Sequence, residues 1–445
     1  MAAVPASAQQ AAPASGVADL LAVSNDALQF NPGYAAARAE LAAAQETVPQ
    51  AVGKLLPQVG FQTQYDYVHE SVEGDYYGVA NIDRSDDFDR WVYGAKLKQA
   101  LYQPSLFIGR KQAELKVQRA GLTFQAEQDA LLMQVVEAYF GVLASEDAVA
   151  FAGAEMLAVG QQRDQVRARA RAGLATDADT KAATAQYELA VANQTDARVA
   201  LDNALARLEA LTGRYYGQVK RLPLNLLLIP PQPQQEQVWI DRARQANPTL
   251  LAQQIALEVA KLEYDKSRKL RWPTLDLVGQ TFALDSGGGI TGQRDERSER
   301  IGVVLDLPLY SGGQISATKR QSLALQERAE ALYDDARARV VRDTRIAYRN
   351  SSAGLQRVAA LKRALDAAVA AEEATRAGFD AGTRTSADVL SAVERRYAAE
   401  RDHSASRYQF LTASLRLKQL SGNLLVADLA QINRMLEYRP SAPQP

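Results

Sequence analysis

The feature of this sequence that most limits its fold is an internal repeat, because a chain that repeats one pattern folds into two similar parts. Three short segments recur at a spacing of 209 residues: Ala138-Tyr139 as Ala347-Tyr348, Arg171-Ala172-Gly173 as Asp380-Ala381-Gly382, and Leu211-Thr212-Gly213 as Leu420-Ser421-Gly422. Upstream, Asn31-Pro32 recurs as Asn247-Pro248. The repetition predicts a first repeat at 17–212, a connector at 213–237, a second repeat at 238–422 and a tail at 423–445.

Each repeat carries the same predicted elements in the same order. A helix begins at the proline of each Asn-Pro pair, where proline is tolerated at the first helical position, and covers 32–54 or 248–270. Two strands with alternating apolar and polar residues follow, separated by a polar loop. These strands are predicted at about 58–68 and 91–102 in the first repeat, and at about 273–284 and 300–310 in the second.

A helix too long for a compact domain follows the strands in each repeat. Segments 105–171 and 314–379 contain no proline, and at 1.5 Å per residue each predicts a helix of about 100 Å. The chain then reverses at Ala172-Gly173 and Ala381-Gly382 and returns as helices at 177–211 and 386–420. One chain therefore supplies long antiparallel helices and four strands.

The strands suit a tilted crossing of a bilayer, since each is about ten residues long with one apolar side. A soluble β-sandwich gives the same alternation and remains an alternative. Aromatic residues at the strand ends favour the membrane, because Trp and Tyr concentrate at membrane interfaces. These candidate interface residues are Trp91, Trp272, Tyr102 and Tyr310.

Four strands are too few to close a barrel, and open strand edges are untenable in lipid. We therefore expect three chains to combine into a homotrimer with twelve strands. The predicted fold class is mainly α with a transmembrane β part, in which a trimeric 12-stranded β-barrel continues into a long α-helical barrel.

Composition argues against several other classes of protein. A net charge of −1 disfavours a nucleic-acid partner, which needs a basic surface. With no Cys and only two His, we expect no catalytic residues, no metal site and no cofactor. Residues 1–16 contain Ala6-Ser7-Ala8, a small-residue pattern typical of a cleavage site, and are interpreted as an export-signal remnant or a flexible tail.

The repeat and its turn motifs resemble the TolC family of outer-membrane efflux proteins. The resemblance rests on Leu-Tyr-x-Gly-Gly at 309–313, on Gly-Thr-Arg-Thr-x-x-Asp-Val-Leu at 382–390, and on the Leu-Thr-Gly and Leu-Ser-Gly endings. It implies a trimer in the Gram-negative outer membrane, in contact with outer-membrane lipid, whose α-helical barrel extends into the periplasm. It also implies a periplasmic adaptor and, through it, an inner-membrane pump as partners.

The two turns form the most specific candidate site that the sequence indicates. The residues expected to dock the adaptor are Gly173, Leu174, Ala175, Thr176, Gly382, Thr383, Arg384 and Thr385. By resemblance, Asp388 matches a constriction aspartate, while Arg384 and Asp179 match residues of the links that keep the periplasmic entrance closed. Helix capping alone could also explain these residues, because Thr-x-x-Asp fits a capping box in both turns. Phe379 stands where the family usually has a linking tyrosine.

Two functions of different classes remain at this stage. The favoured one is a passive exit duct of a tripartite efflux pump, of a type I secretion system, or of both. The alternative is a structural trimeric coiled-coil spacer with a soluble β head and no transport. An enzyme is disfavoured, because no nucleophile, base and orienting group recur together and no glycine-rich phosphate loop precedes a helix.

Overall fold

A computed structural model describes residues 17–76, 79–223, 226, 228–289, 292–422 and 424–438. The predicted export-signal remnant at 1–16 lies outside these residues, as do three connector positions and residues 423 and 439–445 of the tail. Within the described part of the chain, no helix is both long enough and apolar enough to cross a membrane.

The elements follow the order expected from the repeat. The first half contains α1 (Leu20–Phe30), α2 (Pro32–Gln45), α3 (Thr47–Gly53), β1 (Gln58–Tyr76), β2 (Val79–Tyr102), α4 (Pro104–Arg171) and α5 (Asp177–Thr212). The second half contains α6 (Glu236–Ala246), α7 (Pro248–Arg268), β3 (Thr274–Ser286), β4 (Arg294–Asp306), α8 (Gln314–Asp380), α9 (Ser386–Leu420) and α10 (Val426–Asn433). The single helix predicted at 32–54 is interrupted at Glu46, because Pro49 has no N–H to donate to the carbonyl of Gln45.

These elements form two compact units, and each unit draws on both repeats. The first unit consists of residues 17–39, 122–251 and 335–438, and the second of residues 40–121 and 252–334. The compact units therefore cut across the two repeats.

An asparagine closes each repeat within the first unit. The side-chain oxygen of Asn31 accepts the Tyr34 N–H at 3.0 Å, which caps α2, and its amide donates to the Leu211 carbonyl at the end of α5, at 3.1 Å. Asn247 makes the same pair of bonds, to Leu250 at 3.0 Å and to Leu420 at 3.0 Å. The Asn-Pro pairs and the Leu-Thr-Gly and Leu-Ser-Gly endings recur together because they bind each other.

The core of the first unit lies around the middle of α4, where Leu132, Tyr139 and Leu143 are fully or almost fully buried. The Tyr139 hydroxyl donates to the Lys220 carbonyl of the connector at 2.7 Å. The repeat-related Tyr348 donates its hydroxyl to the connector carbonyl of Gln234. Both repeated tyrosines thus hold the connector.

The second unit contains one antiparallel sheet of order β1-β2-β3-β4. Its register collects apolar side chains on one face, since Phe61 lies opposite Ala95, Tyr65 opposite Trp91, and Leu277 opposite Val303. The other face carries ion pairs between neighbouring strands, Arg90 with Asp66 at 3.0 Å and Lys98 with Asp276 at 3.0 Å. The sheet is therefore strongly one-sided.

The strands extend into segments that the sequence pattern assigns to polar loops. β1 and β2 remain paired from Gln58↔Lys98 to Gly74↔Ile82, because backbone hydrogen bonds do not require apolar side chains and polar side chains bind each other across the strands, as His69 Nδ1 and Asp87 Oδ1 do at 2.6 Å. Likewise β4 begins at Arg294, within the predicted loop. It ends at Asp306 rather than at 310, because Pro308 cannot donate to a ladder.

The one-sidedness can be tested with neighbouring residues of β4. Val303 is 57% exposed on the apolar face and Val304 is 49% exposed on the polar face. In a bilayer, Val303→Lys should destabilise the protein by about 1–2 kcal/mol, because an ammonium group would meet lipid between the interface and the midplane. Val304→Lys should be nearly neutral, since Asp276 lies opposite. Thermal unfolding in lipid vesicles measures both, and equal losses would contradict the assignment of the two faces.

Candidate functional site

The two turns between the long and the returning helices share one backbone geometry. Gly173 and Gly382 have φ of 74° and 77°, values in the left-handed region that favours glycine at the end of a helix. The Leu174 N–H donates to the Arg169 carbonyl at 2.9 Å, and the Thr383 N–H donates to the Gly378 carbonyl at 2.8 Å. The repeat therefore extends to the hydrogen bonds that reverse the chain.

A complete capping box opens each returning helix. The Thr176 hydroxyl accepts the Asp179 N–H at 3.1 Å, and Oδ2 of Asp179 accepts the Thr176 N–H at 2.9 Å. Thr385 and Asp388 repeat both bonds at 3.2 and 2.9 Å. The capping role that the sequence allowed is thus present in both turns.

Capping keeps both carboxylates ionised. Hydrogen bonds from the Thr176 hydroxyl and N–H lower the pKa of Asp179, and those from the Thr385 N–H and hydroxyl lower the pKa of Asp388. The stabilisation that this gives is present above about pH 4, the ordinary Asp value, and is lost as the pH falls through the lowered pKa. Within one chain these hydrogen bonds favour the anionic form of both groups.

Apolar side chains from four helices pack together behind the turns. This tip cluster comprises Val159 and Val166 of α4, Ala183 and Ala190 of α5, Phe379 of α8, and Val389, Leu390, Val393 and Tyr397 of α9. Alanine on α5 keeps the helices close, because its side chain adds little volume. The two turns are thereby held by one shared core.

Arg169 links α4 to α8 beside this cluster. Its guanidinium stacks over the ring of Phe379 at 4.0 Å and lies 3.9 Å from the Asp380 carboxylate. Phe379 is 7% exposed. The Phe379 ring therefore takes part in a link between helices through its face.

Sequence reasoning missed Arg169, although the repeat contained a signal. At the spacing of 209 residues, Arg169 matches Gly378, and Arg171 matches Asp380. Two repeats that contact each other need complementary rather than identical residues at matched positions. A cation matched to a small residue, next to a cation matched to an anion, fits that expectation.

Arg384 lies across α8. A Cβ placed on Gly378 would lie only 2.7 Å from the Arg384 Cγ, so glycine at 378 makes room for the arginine stem. Throughout the described residues, no carboxylate lies within 4.0 Å of the Arg384 guanidinium. Arg384 and Asp179, which the resemblance assigns to links that close the entrance, form no ion pair with each other within one chain, and a link between neighbouring hairpins stays a prediction.

A buried ion network lies further along the same helix pair, and sequence reasoning did not identify it. Glu372 of α8 is 3% exposed. It pairs with Arg376 at 2.8 Å and with Arg396 of α9 at 3.1 Å. Arg396 also pairs with Glu400 at 3.1 Å. Leaving Glu372 without these partners would be costly, because a buried unpaired charge is strongly destabilising.

The remaining predicted site residues lie elsewhere in the chain. Trp91 and Tyr102 belong to β2, where Trp91 packs against Tyr65 with ring centroids 4.9 Å apart. Trp272 precedes β3 and Tyr310 follows β4, at 48% and 89% exposure. Across the described residues, no group of three or more His, Asp or Glu side chains is arranged to hold a metal ion.

The sequence profile of the outer membrane efflux protein family matches residues 23–214 and 239–423. Each of these ranges falls largely within one of the predicted repeats. The chain belongs to the outer membrane efflux protein family.

Individual relatives span almost the whole chain. The outer membrane protein TolC of Vibrio cholerae is 31% identical over 430 residues, which cover 94% of each chain. The alkaline protease secretion protein AprF of Pseudomonas aeruginosa is 28% identical, over 91% of this chain and 84% of that one. Among solved structures, the Campylobacter jejuni CmeC outer membrane channel superimposes with a TM-score of 0.80 at 13% identity, over 97% of this chain and 95% of that one.

Family membership establishes the class of protein and its location. The protein is an outer-membrane channel of Gram-negative type that acts as an exit duct, with the fold of the solved efflux channels. The competing interpretation as a spacer without transport is therefore not supported.

The link made by Arg169 yields a prediction about the turns. Arg169→Ala should increase hydrogen exchange at the Leu174 and Thr383 amides about fivefold, because it removes a cation–π contact of about 1 kcal/mol. The control is Arg171→Ala, which removes the same charge two residues further along the chain. The Arg171 side chain is exposed, so hydrogen exchange should stay unchanged. Equal exchange in both variants would show that Arg169 does not hold the turns.

Proposed function

We propose that three copies of the chain form the duct, and that their six turns close its periplasmic end. In this proposal the turns line the narrowest part of the passage and also form the surface on which a periplasmic adaptor docks. The adaptor connects the duct to an inner-membrane pump. The duct is passive, and the proposal includes no catalytic step.

The gate is supported most directly by the hydrogen bonding of the two carboxylate oxygens in each turn. Capping occupies Oδ2 of Asp179 and of Asp388, while Oδ1 of each accepts no hydrogen bond from any residue that the structure describes. Each carboxylate can therefore cap its helix and still present a charged oxygen to a lumen. In a trimer this arrangement would supply six anionic groups around one axis.

Such a ring of ionised carboxylates should bind cations. The capping bonds lower the pKa of both aspartates, which disfavours relief of their mutual repulsion by protonation. We therefore expect a cation-selective conductance that multivalent cations block from the periplasmic side. Arg384 would lie beside this ring, where its unpaired guanidinium could bind Asp179 of a neighbouring chain.

The aromatic residues support the proposed position of the sheet in the membrane. Trp91 lies at the middle of β2 and Tyr102 at its end, separated by about 36 Å of strand, or about 26 Å at a tilt near 45°. That height agrees with the apolar band of about 25 Å typical of outer-membrane sheets. Trp272 and Tyr310 flank the same end of the sheet as Tyr102, because Tyr102 pairs with Leu275 and Thr274 pairs with Asp306.

The names of the relatives suggest two kinds of cargo. AprF of Pseudomonas aeruginosa and PrtF of Dickeya chrysanthemi are named for protease secretion. BepC of Brucella suis is named as an efflux protein. We propose that this duct serves either an efflux pump or a type I secretion system, or both.

Two matched double variants distinguish the role of the aspartates in the gate from their role as helix caps. Asp179→Gln with Asp388→Gln removes the charge, while glutamine at the third helical position can still accept the capping bond. Thr176→Val with Thr385→Val keeps the charge but weakens each cap by about 1 kcal/mol. Single-channel recording should show loss of cation selectivity and of multivalent block only in the glutamine pair.

The opposite result would overturn the gate. If the valine pair alters selectivity and the glutamine pair does not, the aspartates act only as caps and the constriction lies elsewhere.

Arg384→Ala should raise the single-channel conductance and leave the channel cation-selective, because it would remove a link between chains and not an anionic group.

Adaptor docking can be tested at the two glycines. Their φ angles are positive, and a Cβ at either position would meet no atom within 4 Å, so only the backbone conformation opposes substitution. Val at 173 and 382 should abolish transport in cells, because β-branched residues avoid this conformation. Asn at both positions should preserve transport, since asparagine tolerates it.

The valine variant and the asparagine variant should both remain trimeric on native gels. Cross-linking to the adaptor should fail only in the valine variant. If transport and cross-linking survive in that variant, the turns are not the docking surface.

A further inference from the structure

A basic cleft lies in the second unit between the end of α7 and the start of α8. It has a volume of about 500 Å³ and is lined by Tyr264, Arg268, Arg271, Lys319 and Arg320, among others. The titratable side chains that line it are four cations and one tyrosine. Nothing in the proposed gate or docking surface uses these residues.

Most of the positive charge in this cleft has no acidic partner. Arg268 lies 3.7 Å from the Asp265 carboxylate. For Arg271, Lys319 and Arg320, the described part of the chain offers no carboxylate within 4.0 Å. Four cations gathered around one small volume repel one another, and an anion in the cleft would relieve that repulsion.

The walls of the cleft are fixed. Ser267 and Ser322 are 2% and 4% exposed, and their hydroxyl oxygens are hydrogen-bonded at 2.7 Å across the contact between α7 and α8. Arg271 is held by a bond from its Nη2 to the Ser316 hydroxyl at 2.9 Å. The guanidinium is therefore positioned before any ligand arrives.

A second cleft of about 200 Å³ adjoins the first. The two share Arg271, Ile315 and Ser316, and the second is lined further by Pro308, Leu309 and Tyr310. Leu309 and Tyr310 are 90% and 89% exposed. The basic cleft thus continues into a second cleft whose wall, just after β4, includes two exposed apolar side chains.

The fold does not require two of these four cations. In the first repeat, at the spacing that relates Asn31 to Asn247, the positions equivalent to Arg268 and Arg271 are Val52 and Leu55. The first repeat forms the same elements with apolar residues there. The start of α4 in the first repeat is also basic, so it is the presence of cations at both the end of α7 and the start of α8 that is a property of the second repeat alone.

We propose that the cleft binds an anionic phospholipid of the inner leaflet of the outer membrane. Arg271 and the neighbouring cations would bind the phosphate, because guanidinium groups match its geometry, and one acyl chain would lie along Leu309 and Tyr310. This inference rests on the proposed position of the sheet in the membrane. It adds a lipid contact that would fix the depth of the duct.

The test measures phosphatidylglycerol binding to the intact trimer by native mass spectrometry in detergent. Lys319→Gln with Arg320→Gln should weaken binding about tenfold or more, since charge-assisted hydrogen bonds are lost. Arg271→Gln alone should weaken it comparably. The matched control is Arg110→Gln with Lys111→Gln, which removes the same charge at the equivalent start of α4 and should leave binding unchanged.

Other probes identify the source of the phosphate. Phosphatidylcholine should bind more weakly than phosphatidylglycerol, and inorganic phosphate at millimolar concentration should not displace the lipid. Equal binding by all variants, equal binding of both lipids, or displacement by inorganic phosphate would overturn the proposal. A trimer structure in which carboxylates of a neighbouring chain fill the cleft would also overturn it.

Conductance separates this inference from the proposed function. The cleft variants should retain trimers and normal single-channel conductance. If conductance is normal and lipid binding is unaffected by the variants, only the lipid site is wrong. If the unmodified protein forms no conducting trimer, the proposed function itself fails.

Discussion

The double hydrogen bonding of Asn31 and Asn247 is the constraint on which the rest of each repeat depends. One amide group caps the helix that leads toward the strands and also binds the last carbonyl of the helix that returns from the turn. Both ends of a repeat of roughly 180 residues therefore meet at one side chain. Close packing reinforces this junction, because a Cβ at Gly422 would lie 2.2 Å from the Ala246 carbonyl oxygen.

From this junction each repeat runs along the chain first into its strands and then into its turn, and these two segments differ in chemistry. The strands form a sheet whose register separates apolar from charged side chains, as lipid on one side and water on the other require. The turns are built from glycine geometry and capping boxes. Ion pairs join neighbouring strands, and Arg169 and Glu372 join neighbouring helices.

Much of this architecture was predictable because its signals are local or repeated. The proline-free segments gave the long helices to within a residue or two, and Thr-x-x-Asp identified both capping boxes. The far ends of β1 and β2 were not predictable from alternation, because their residues are polar on both faces and pair through the backbone. Arg169 was missed because its partners Phe379 and Asp380 lie in the other repeat, so neither periodicity nor spacing within one repeat could reveal the contact.

The two turns have the same backbone but opposite arrangements of arginine. In the first repeat the arginine stands on the long helix, as Arg169, and the turn carries Ala175; in the second the helix carries Gly378 and the turn carries Arg384. In the proposed trimer the passage would thus have sixfold backbone symmetry and only threefold chemical symmetry. The two kinds of turn would then alternate around the passage, so a partner that contacts all six turns would meet two chemically different surfaces.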